Sequence, residues 1–168
     1  GSFVLMSNHF HMIIWTPHEN LGEIMNQLMR AVSKEINRRS GRINHVFGGS
    51  YKWCLVQEQY YFEHLYRYIY QNPLKSKLVA RVEDYHFSTF HYILHKKKLA
   101  FPIYDQELIE LTEIPKDLSG RLKWLNEVFT DQQTAAIELG LRKSIFRFPR
   151  HKRFRKVVRT FRNCSEKR

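Results

Sequence analysis

The sequence has few cysteines and no long apolar run. Its only cysteines, Cys54 and Cys164, lie far apart without a pairing pattern. That spacing argues against a small secreted domain held together by disulfides. No secretory signal precedes the first apolar run, and no stretch approaches the length needed to cross a bilayer. These absences predict a cytosolic, reduced protein that does not span a membrane.

Acidic residues are scarce at the C-terminal end. Residues 141–168 contain 12 Lys and Arg against the single Glu166, so nearly all of the net charge of +12 lies there. Phenylalanines alternate with the basic side chains, a mixture suited to phosphate contacts and base stacking. The alternatives are a solvated arm or a membrane-surface patch. We favour nucleic acid, with contacts expected from Arg147, Arg150, Lys152, Arg153, Arg155, Lys156 and Arg159.

Two histidines, His9 and His11, flank Phe10 near the start of the chain. Side chains alternate between faces along a strand, so residues at i and i+2 project from the same face. Two imidazoles placed in this way can grip one metal ion. Because the motif is short, the alternative is that both histidines simply pack in the core and bind no metal.

The spacing of apolar residues predicts several elements before residue 99. Asn20 and Glu23 fit a capping box at the start of a helix that should bury a Met-rich face. Pro73 should end a later helix, because proline lacks the donor that would continue it. The predicted strands cover residues 3–6, 9–15 and 50–56, and the predicted helices cover about 20–39 and 57–72.

The second predicted helix is rich in tyrosine. Within it, His64, Tyr68 and Asn72 are spaced at i, i+4 and i+8 and therefore share a face. Such a stripe is more often core packing with hydroxyls at the surface, so alone it does not indicate catalysis. His64 is near enough in sequence to act as a base for Tyr68, although an ordinary helix-surface histidine is the favoured interpretation.

Beyond residue 99 the pattern is helical. Asp117 is expected to cap one helix, and Thr130 with Gln133 forms a second capping box before another. Two helices joined by a short turn suggest a helical hairpin. It could read DNA in the helix-turn-helix manner, but packing against the preceding domain is favoured.

Several motifs occur together and in order along residues 3–92. They are His9-Phe10-His11, a Met-rich helix, the segment Gly48–Lys52, the run Tyr68–Val79 and the run Asp84–Phe90. Taken together, they resemble the single-tyrosine HUH transposases, most closely the REP-associated tyrosine transposases. Members of that family begin with a strand and a helix before the strand that leads into the histidine motif. Since this sequence opens partway into that strand, the resemblance implies an N-terminally truncated sheet.

The resemblance implies a reaction and a site. His9 and His11 match the ligands of a divalent metal, expected to be Mg²⁺ or Mn²⁺, and Asn72 matches the polar residue that helps to hold it. Tyr68 matches the nucleophile, which would nick single-stranded DNA at hairpin-forming repeats through a 5′-phosphotyrosine link and then transfer the strand. Lys52, in a matched segment, is expected to contact DNA. A bacterial, nucleoid-associated protein that binds single-stranded or hairpin DNA as a monomer or homodimer is implied.

The chemistry supports this assignment. Phenol, with a pKa of about 10, is a better leaving group than an alkoxide, so a phosphotyrosine bond remains competent for strand transfer. Two neutral imidazoles and an amide would leave open positions on a metal ion that polarises the scissile phosphate.

We therefore expect an α+β fold. The resemblance implies a ferredoxin-like antiparallel sheet with helices on one face over residues 1–98, followed by a helical, basic, DNA-binding extension over residues 99–168. Two other functions remain open. One is a non-catalytic, domesticated or truncated remnant that binds DNA hairpins. The other is a metal-dependent nuclease that activates water.

Overall fold

The structure is a computed structural model that describes residues 1–97, 99 and 109–149. Within these ranges the chain has an α+β fold, with a two-stranded antiparallel sheet and five α-helices of defined bounds. The expected α+β class is confirmed, and the finer ferredoxin-like arrangement stays a prediction. None of the helices in this part of the chain is both long and apolar enough to cross a bilayer.

The sheet is a hairpin of β1, Ser2–Leu5, and β2, Phe10–Ile13. The backbone N–H of Met6 donates to the carbonyl of His9 over 2.8 Å and closes the turn. The register places Val4, which is fully buried, opposite His11. Both strands were predicted, although β2 ends at Ile13 rather than at residue 15.

The chain divides into two compact units, one of residues 15–53 and one of residues 1–14 with residues from 54 onward. The first contains α1, Leu21–Ser40, which ends at Gly41 in the left-handed conformation that glycine adopts readily. Met25 of this helix is buried and Met29 is half-buried, so the expected burial of a Met-rich face is confirmed in part.

The predicted capping box at the start of α1 is also wrong. The backbone of Asn20 has φ −97° and ψ 33° rather than the extended conformation of a capping residue, and its side chain makes no capping hydrogen bond. The carboxylate of Glu23 instead accepts a hydrogen bond from Gln27 over 3.4 Å.

The central helix of the other unit is α2, Gln59–Lys75, which is buried over most of its second half. Contrary to the sequence prediction, it continues through Pro73. Proline cannot donate to the carbonyl of Ile69, but the side-chain Nδ2 of Asn72 donates there over 3.4 Å and to the carbonyl of Tyr68 over 2.9 Å. The Asn72 amide thus supplies the missing donor, and the helix extends to Lys75.

The predicted strand over residues 50–56 is reduced to one bridge. Leu55 pairs in parallel with Ile145, through hydrogen bonds of 2.8 Å to Ser144 and from Phe146. Trp53 and Leu55 are about half exposed, at 57% and 48%. The aromatic and apolar residues of this segment therefore lack the neighbouring strand, in the described part of the chain, that would extend the pairing.

The remaining helices pack around α2. A 3₁₀ turn, Val82–Asp84, precedes α3, Thr89–Leu94, and the helical pair that follows consists of α4, Leu118–Asn126, and α5, Asp131–Leu141.

Both predicted caps of that pair are confirmed. Asp117 accepts from the N–H of Gly120 over 2.7 Å, and Thr130 forms a complete capping box with Gln133. Packing against the preceding region is confirmed too, because Gln71 of α2 donates to the carbonyls of Leu125 and Glu127 over 2.8 and 2.9 Å. The expected division of the chain at residue 98 stays a prediction.

Candidate active site

The histidine pair lies on β2 and the turn before it. The rings of His9 and His11 are 5.0 Å apart, edge to face, as the i and i+2 spacing predicts. His9 is exposed, and its Nδ1 is 2.7 Å from the side-chain oxygen of Asn8. When Nδ1–H donates to Asn8, the Nε2 lone pair of His9 is the one available to a ligand.

The Tyr68 ring lies next to the second histidine. The ring centroids of His11 and Tyr68 are 6.0 Å apart at an interplanar angle of 80°. Tyr68 is only 7% exposed. The structure therefore brings together a strand histidine and a helix tyrosine from distant parts of the sequence, as expected for the candidate site.

Tyr68 lies near a carboxylate. Burial, and to a lesser extent the negative charge of Glu138 in α5, raise the pKa of Tyr68 to about 12. Glu138 also forms an ion pair with Lys75 at the end of α2. The phenol is therefore neutral at pH 7, and it lies near an ion pair that links α2 to α5.

The second imidazole is neutral. Burial, and to a lesser extent the nearby His9 and Lys75, lower the pKa of His11 to about 4. A neutral imidazole carries the lone pair that metal ligation requires. At pH 7 no proton has to be displaced from His11 before a cation binds.

The third candidate ligand, Asn72, is buried on the same face of α2 as Tyr68. Its amide nitrogen is already used by the carbonyls of Tyr68 and Ile69. The carboxamide oxygen is therefore the Asn72 atom with which a cation could interact, and an oxygen donor suits Mg²⁺ or Mn²⁺.

A cavity of about 150 Å³ opens beside the Tyr68 ring. Its wall combines the second half of α2 with the start of α5, and among its lining residues are Tyr68, Asn72, Lys75, Phe129, Asp131 and Thr134. The nucleophile candidate and one metal-ligand candidate thus border the same cavity.

The residues at this site could hold a divalent metal only through two imidazoles combined with an amide oxygen. In residues 1–97, 99 and 109–149, no three His, Cys, Asp or Glu side chains form a group that could hold a metal ion. A cation here would depend on the imidazoles of His9 and His11 with the Asn72 oxygen as third donor. Such a set leaves open coordination positions, which a catalytic site requires.

His64 lies outside this constellation. Its Nδ1 donates to the carbonyl of Tyr60 over 2.7 Å, and its ring stacks on Phe129 and meets Phe148 edge to face. Burial lowers the pKa of His64 to about 4. It is half-buried rather than a surface histidine, and its Nδ1 is used by the preceding turn of the helix.

The predicted DNA contacts are described only in part. Lys52, in the unit of residues 15–53, and Arg147, just after the Leu55–Ile145 bridge, are both exposed. The other predicted contacts, Arg150, Lys152, Arg153, Arg155, Lys156 and Arg159, lie outside the described residues.

Sequence reasoning missed Glu138 and Lys75 as parts of this site. Lys75 had a usable signal, because it follows Tyr68 and Asn72 at helical spacing on one face. Glu138 had none, since only the packing of α5 against α2 brings it near the phenol. The chain matches no family model, no curated protein and no solved structure, so the candidate site is characterised by its geometry alone.

Proposed function

We propose that this protein nicks single-stranded DNA at hairpin-forming repeats and rejoins it through a 5′-phosphotyrosine intermediate on Tyr68. The observation that carries this proposal is the convergence of Tyr68 with His11, and of His11 with His9, at ring separations of 6.0 and 5.0 Å. A buried tyrosine would pack equally well against apolar side chains. Its position beside the imidazole of His11, which in turn lies beside that of His9, is what favours phosphoryl transfer.

The reaction needs an oriented nucleophile and compensation for charge on the phosphoryl group. A Mg²⁺ or Mn²⁺ ion held by His9, His11 and Asn72 would polarise the scissile phosphate when bound. The chain itself supplies the rest. Helix α2 orients the Tyr68 hydroxyl, and Lys75 offsets the negative charge of Glu138 where a polyanion would approach.

A ferredoxin-like arrangement and a DNA-binding extension belong to the same proposal. The described hairpin and the packing of α2 on it are compatible with such a sheet. The basic residues from Arg147 onward would hold the DNA backbone, because Lys and Arg contacts to phosphate dominate sequence-independent affinity.

The test uses a hairpin oligonucleotide labelled at its 3′ end, incubated with the protein and Mn²⁺. A 5′-phosphotyrosine link joins the labelled fragment to the protein, so a denaturant-resistant labelled adduct is expected. Tyr68→Phe should abolish the adduct. Tyr61→Phe is the matched control, because it removes a hydroxyl from the same helix but leaves the ring that packs on Phe146.

The other outcomes identify the alternatives. Binding of the oligonucleotide without any adduct would indicate a DNA-binding remnant. Cleavage that survives Tyr68→Phe would indicate a nuclease that activates water. Either result contradicts the proposed function.

A further inference from the structure

A cluster of histidines, none of them part of the candidate active site, surrounds the C-terminal end of α3. His91 is only 4% exposed, and its ring centroid lies 4.6 Å from that of His86 and 4.3 Å from that of His95. The Nε2 atom of His91 is 3.3 Å from Nδ1 of His86 and 3.4 Å from the ammonium nitrogen of Lys97. A buried imidazole thus lies among three side chains that can each carry a positive charge.

The contact with Lys97 fixes the protonation state of His91. An ammonium group only donates hydrogen bonds, so Nε2 of His91 must accept with its lone pair. The contact with Nδ1 of His86 then requires a proton on the His86 nitrogen. His91 is consequently neutral, with its own proton on Nδ1, for as long as Lys97 contacts it.

The surroundings of His91 oppose a charge on its ring. Burial is the largest cause that lowers the pKa of His91, and the charges of His95, His86 and Lys97 lower it as well, whereas the backbone of Glu83 raises it. The net effect is a pKa below the ordinary value. The closed cluster therefore favours the neutral imidazole.

The elements packed around α3 pair no carboxylate with His91 in the ranges that the structure describes. Their ionisable side chains are Tyr70 of α2, Tyr92 of α3 itself, and Glu83 and Asp84 of the 3₁₀ turn, while β1 contributes none. The Glu83 carboxylate is bound to Arg81 and Asn126, and Asp84 is exposed. A proton on His91 thus has no bound counter-charge to stabilise it.

Lys97 also closes a turn that is unfavourable for its sequence. Its backbone N–H donates to the carbonyl of Tyr92 over 2.9 Å, and that of Lys96 donates to the carbonyl of Ile93 over 3.2 Å. This pair of bonds usually has glycine in the position of Lys96, whose φ of 50° lies in the left-handed region. The contact between the Lys97 side chain and His91 therefore ties a strained last turn back onto α3.

We propose that His91 is a proton-operated latch, which holds the C-terminal turn of α3 closed while its ring is neutral and releases Lys97 and that turn when Nε2 is protonated. A protonated Nε2 can only donate, so it no longer accepts from the ammonium group and repels it instead. Lys97 is the last residue before the expected boundary at residue 98, so the latch makes the connection to the expected extension sensitive to pH. It requires neither Tyr68 nor DNA.

The direction of the pH effect follows from the lowered pKa. Opening the turn exposes His91 to water, where the ordinary histidine pKa is about 6.5, so the open form takes up a proton at higher pH than the closed form. Above that value, opening is independent of pH. Below it, opening becomes more favourable by up to about tenfold per pH unit, until the closed form is protonated as well.

The test is amide hydrogen exchange of the full chain, measured by NMR from about pH 7.5 to about pH 5, which brackets the ordinary histidine pKa. Rates are expressed as protection factors, which remove the pH dependence of exchange itself. Protection of the Lys96 and Lys97 N–H groups should be constant above about pH 6.5 and fall by up to about tenfold per pH unit below it. His91→Gln keeps a hydrogen-bonding group that is not protonated in this range, so protection in this variant should not depend on pH.

The end of α2 is the matched control within the same molecule. There the N–H of Leu78 donates to the carbonyl of Pro73 and that of Lys77 to the carbonyl of Leu74, both over 2.9 Å, and Lys77 has φ 55°. The backbone arrangement is the same, but the residue in the place of Lys97 is the apolar Leu78. Protection of the Lys77 and Leu78 N–H groups should stay constant over the same pH range.

A second variant tests the latch even if His91→Gln does not fold. Lys97→Met keeps an unbranched side chain of similar length but removes the ammonium group, so protection of the Lys96 N–H at pH 7.5 should be several-fold lower than in the wild type. Wild-type protection in Lys97→Met, or the same pH dependence in His91→Gln as in the wild type, would overturn the proposal. An equal loss of protection at the ends of α2 and α3 in acid would overturn it too, because it would show a general effect of pH on helix ends.

Discussion

The two halves of α2 hold similar side chains in different surroundings. In the first, which we call the aromatic half, Tyr60, Tyr61 and His64 pack against other rings. In the second, the polar half, Tyr68, Asn72 and Lys75 meet a histidine pair and a carboxylate. Composition alone does not separate them, because both combine tyrosines with a nearby histidine.

The difference lies in what the polar atoms contact. The pKa values of His64 and His11 are both lowered to about 4, and burial is the largest cause for each. Yet His64 donates to a carbonyl of its own helix and is enclosed by rings, whereas His11 lies between another imidazole and a phenol. A lowered histidine pKa is therefore no sign of a functional site by itself.

The largest expected effect comes from truncating Phe146, whose ring packs against the aromatic half. Phe146 is fully buried and its ring lies 5.2 Å from Tyr61 and 5.4 Å from Phe148. Phe146→Ala should lower the free energy of unfolding by about 3–5 kcal/mol, measured by urea denaturation. Phe87→Ala is the control, because Phe87 is 62% exposed, and it should change stability by no more than about 0.5 kcal/mol.

The second effect separates the two histidines by function. His11→Gln should reduce adduct formation with Mn²⁺ by at least about 10²-fold, since even the partners of metal ligands contribute up to this much. His64→Gln should leave adduct formation near the wild-type rate once the protein is folded. Equal losses in the two variants would show that the aromatic half takes part in the reaction and would contradict the distinction drawn here.

The sequence predicts which residues of the candidate site share a face, but it does not predict all of their contacts. The spacing of His9 and His11 and of Tyr68 and Asn72 is local, and strand and helix geometry place each pair on one face. The contact of Lys75 with Glu138 is not local, because it depends on how α5 packs against α2. No pattern around Glu138 in the sequence indicates that contact.

The two predicted capping boxes also show that local sequence does not decide every contact. Thr130 and Gln133 form the predicted reciprocal bonds, whereas Asn20 and Glu23 do not. The residue types are equally suitable in both places. The difference comes from the backbone of Asn20 and from Gln27, which engages the Glu23 carboxylate instead.

A third prediction concerns pH and the aromatic half. The pKa of His64 is near 4 in the folded protein and about 6.5 when unfolded, so between these values the unfolded chain binds the extra proton. Stability is therefore full above pH 6.5 and falls as the pH drops toward 4, by up to about 1.4 kcal/mol per pH unit from this histidine. His64→Gln should reduce that slope in urea denaturation. An unaltered slope in His64→Gln would mean that His64 does not resist protonation.

The smallest expected effect concerns Asn72 and the proline that follows it. Asn72→Ala removes the donor that the carbonyl of Ile69 receives in place of an N–H from Pro73. We expect a loss of about 1–3 kcal/mol in the free energy of unfolding, the cost of leaving a buried acceptor without a partner. In a Pro73→Ala background the backbone N–H returns, and the same Asn72→Ala change should cost less.

A double-mutant cycle in urea measures this coupling directly. Additive effects of the two changes would show that the Asn72 amide does not replace the donor that proline lacks. A positive coupling would explain the orientation of Asn72 by the helix alone, without reference to any ligand. The Asn72 side chain would then be held in place before a metal binds, with its nitrogen bonded to the helix and its oxygen left as the only atom able to coordinate the ion.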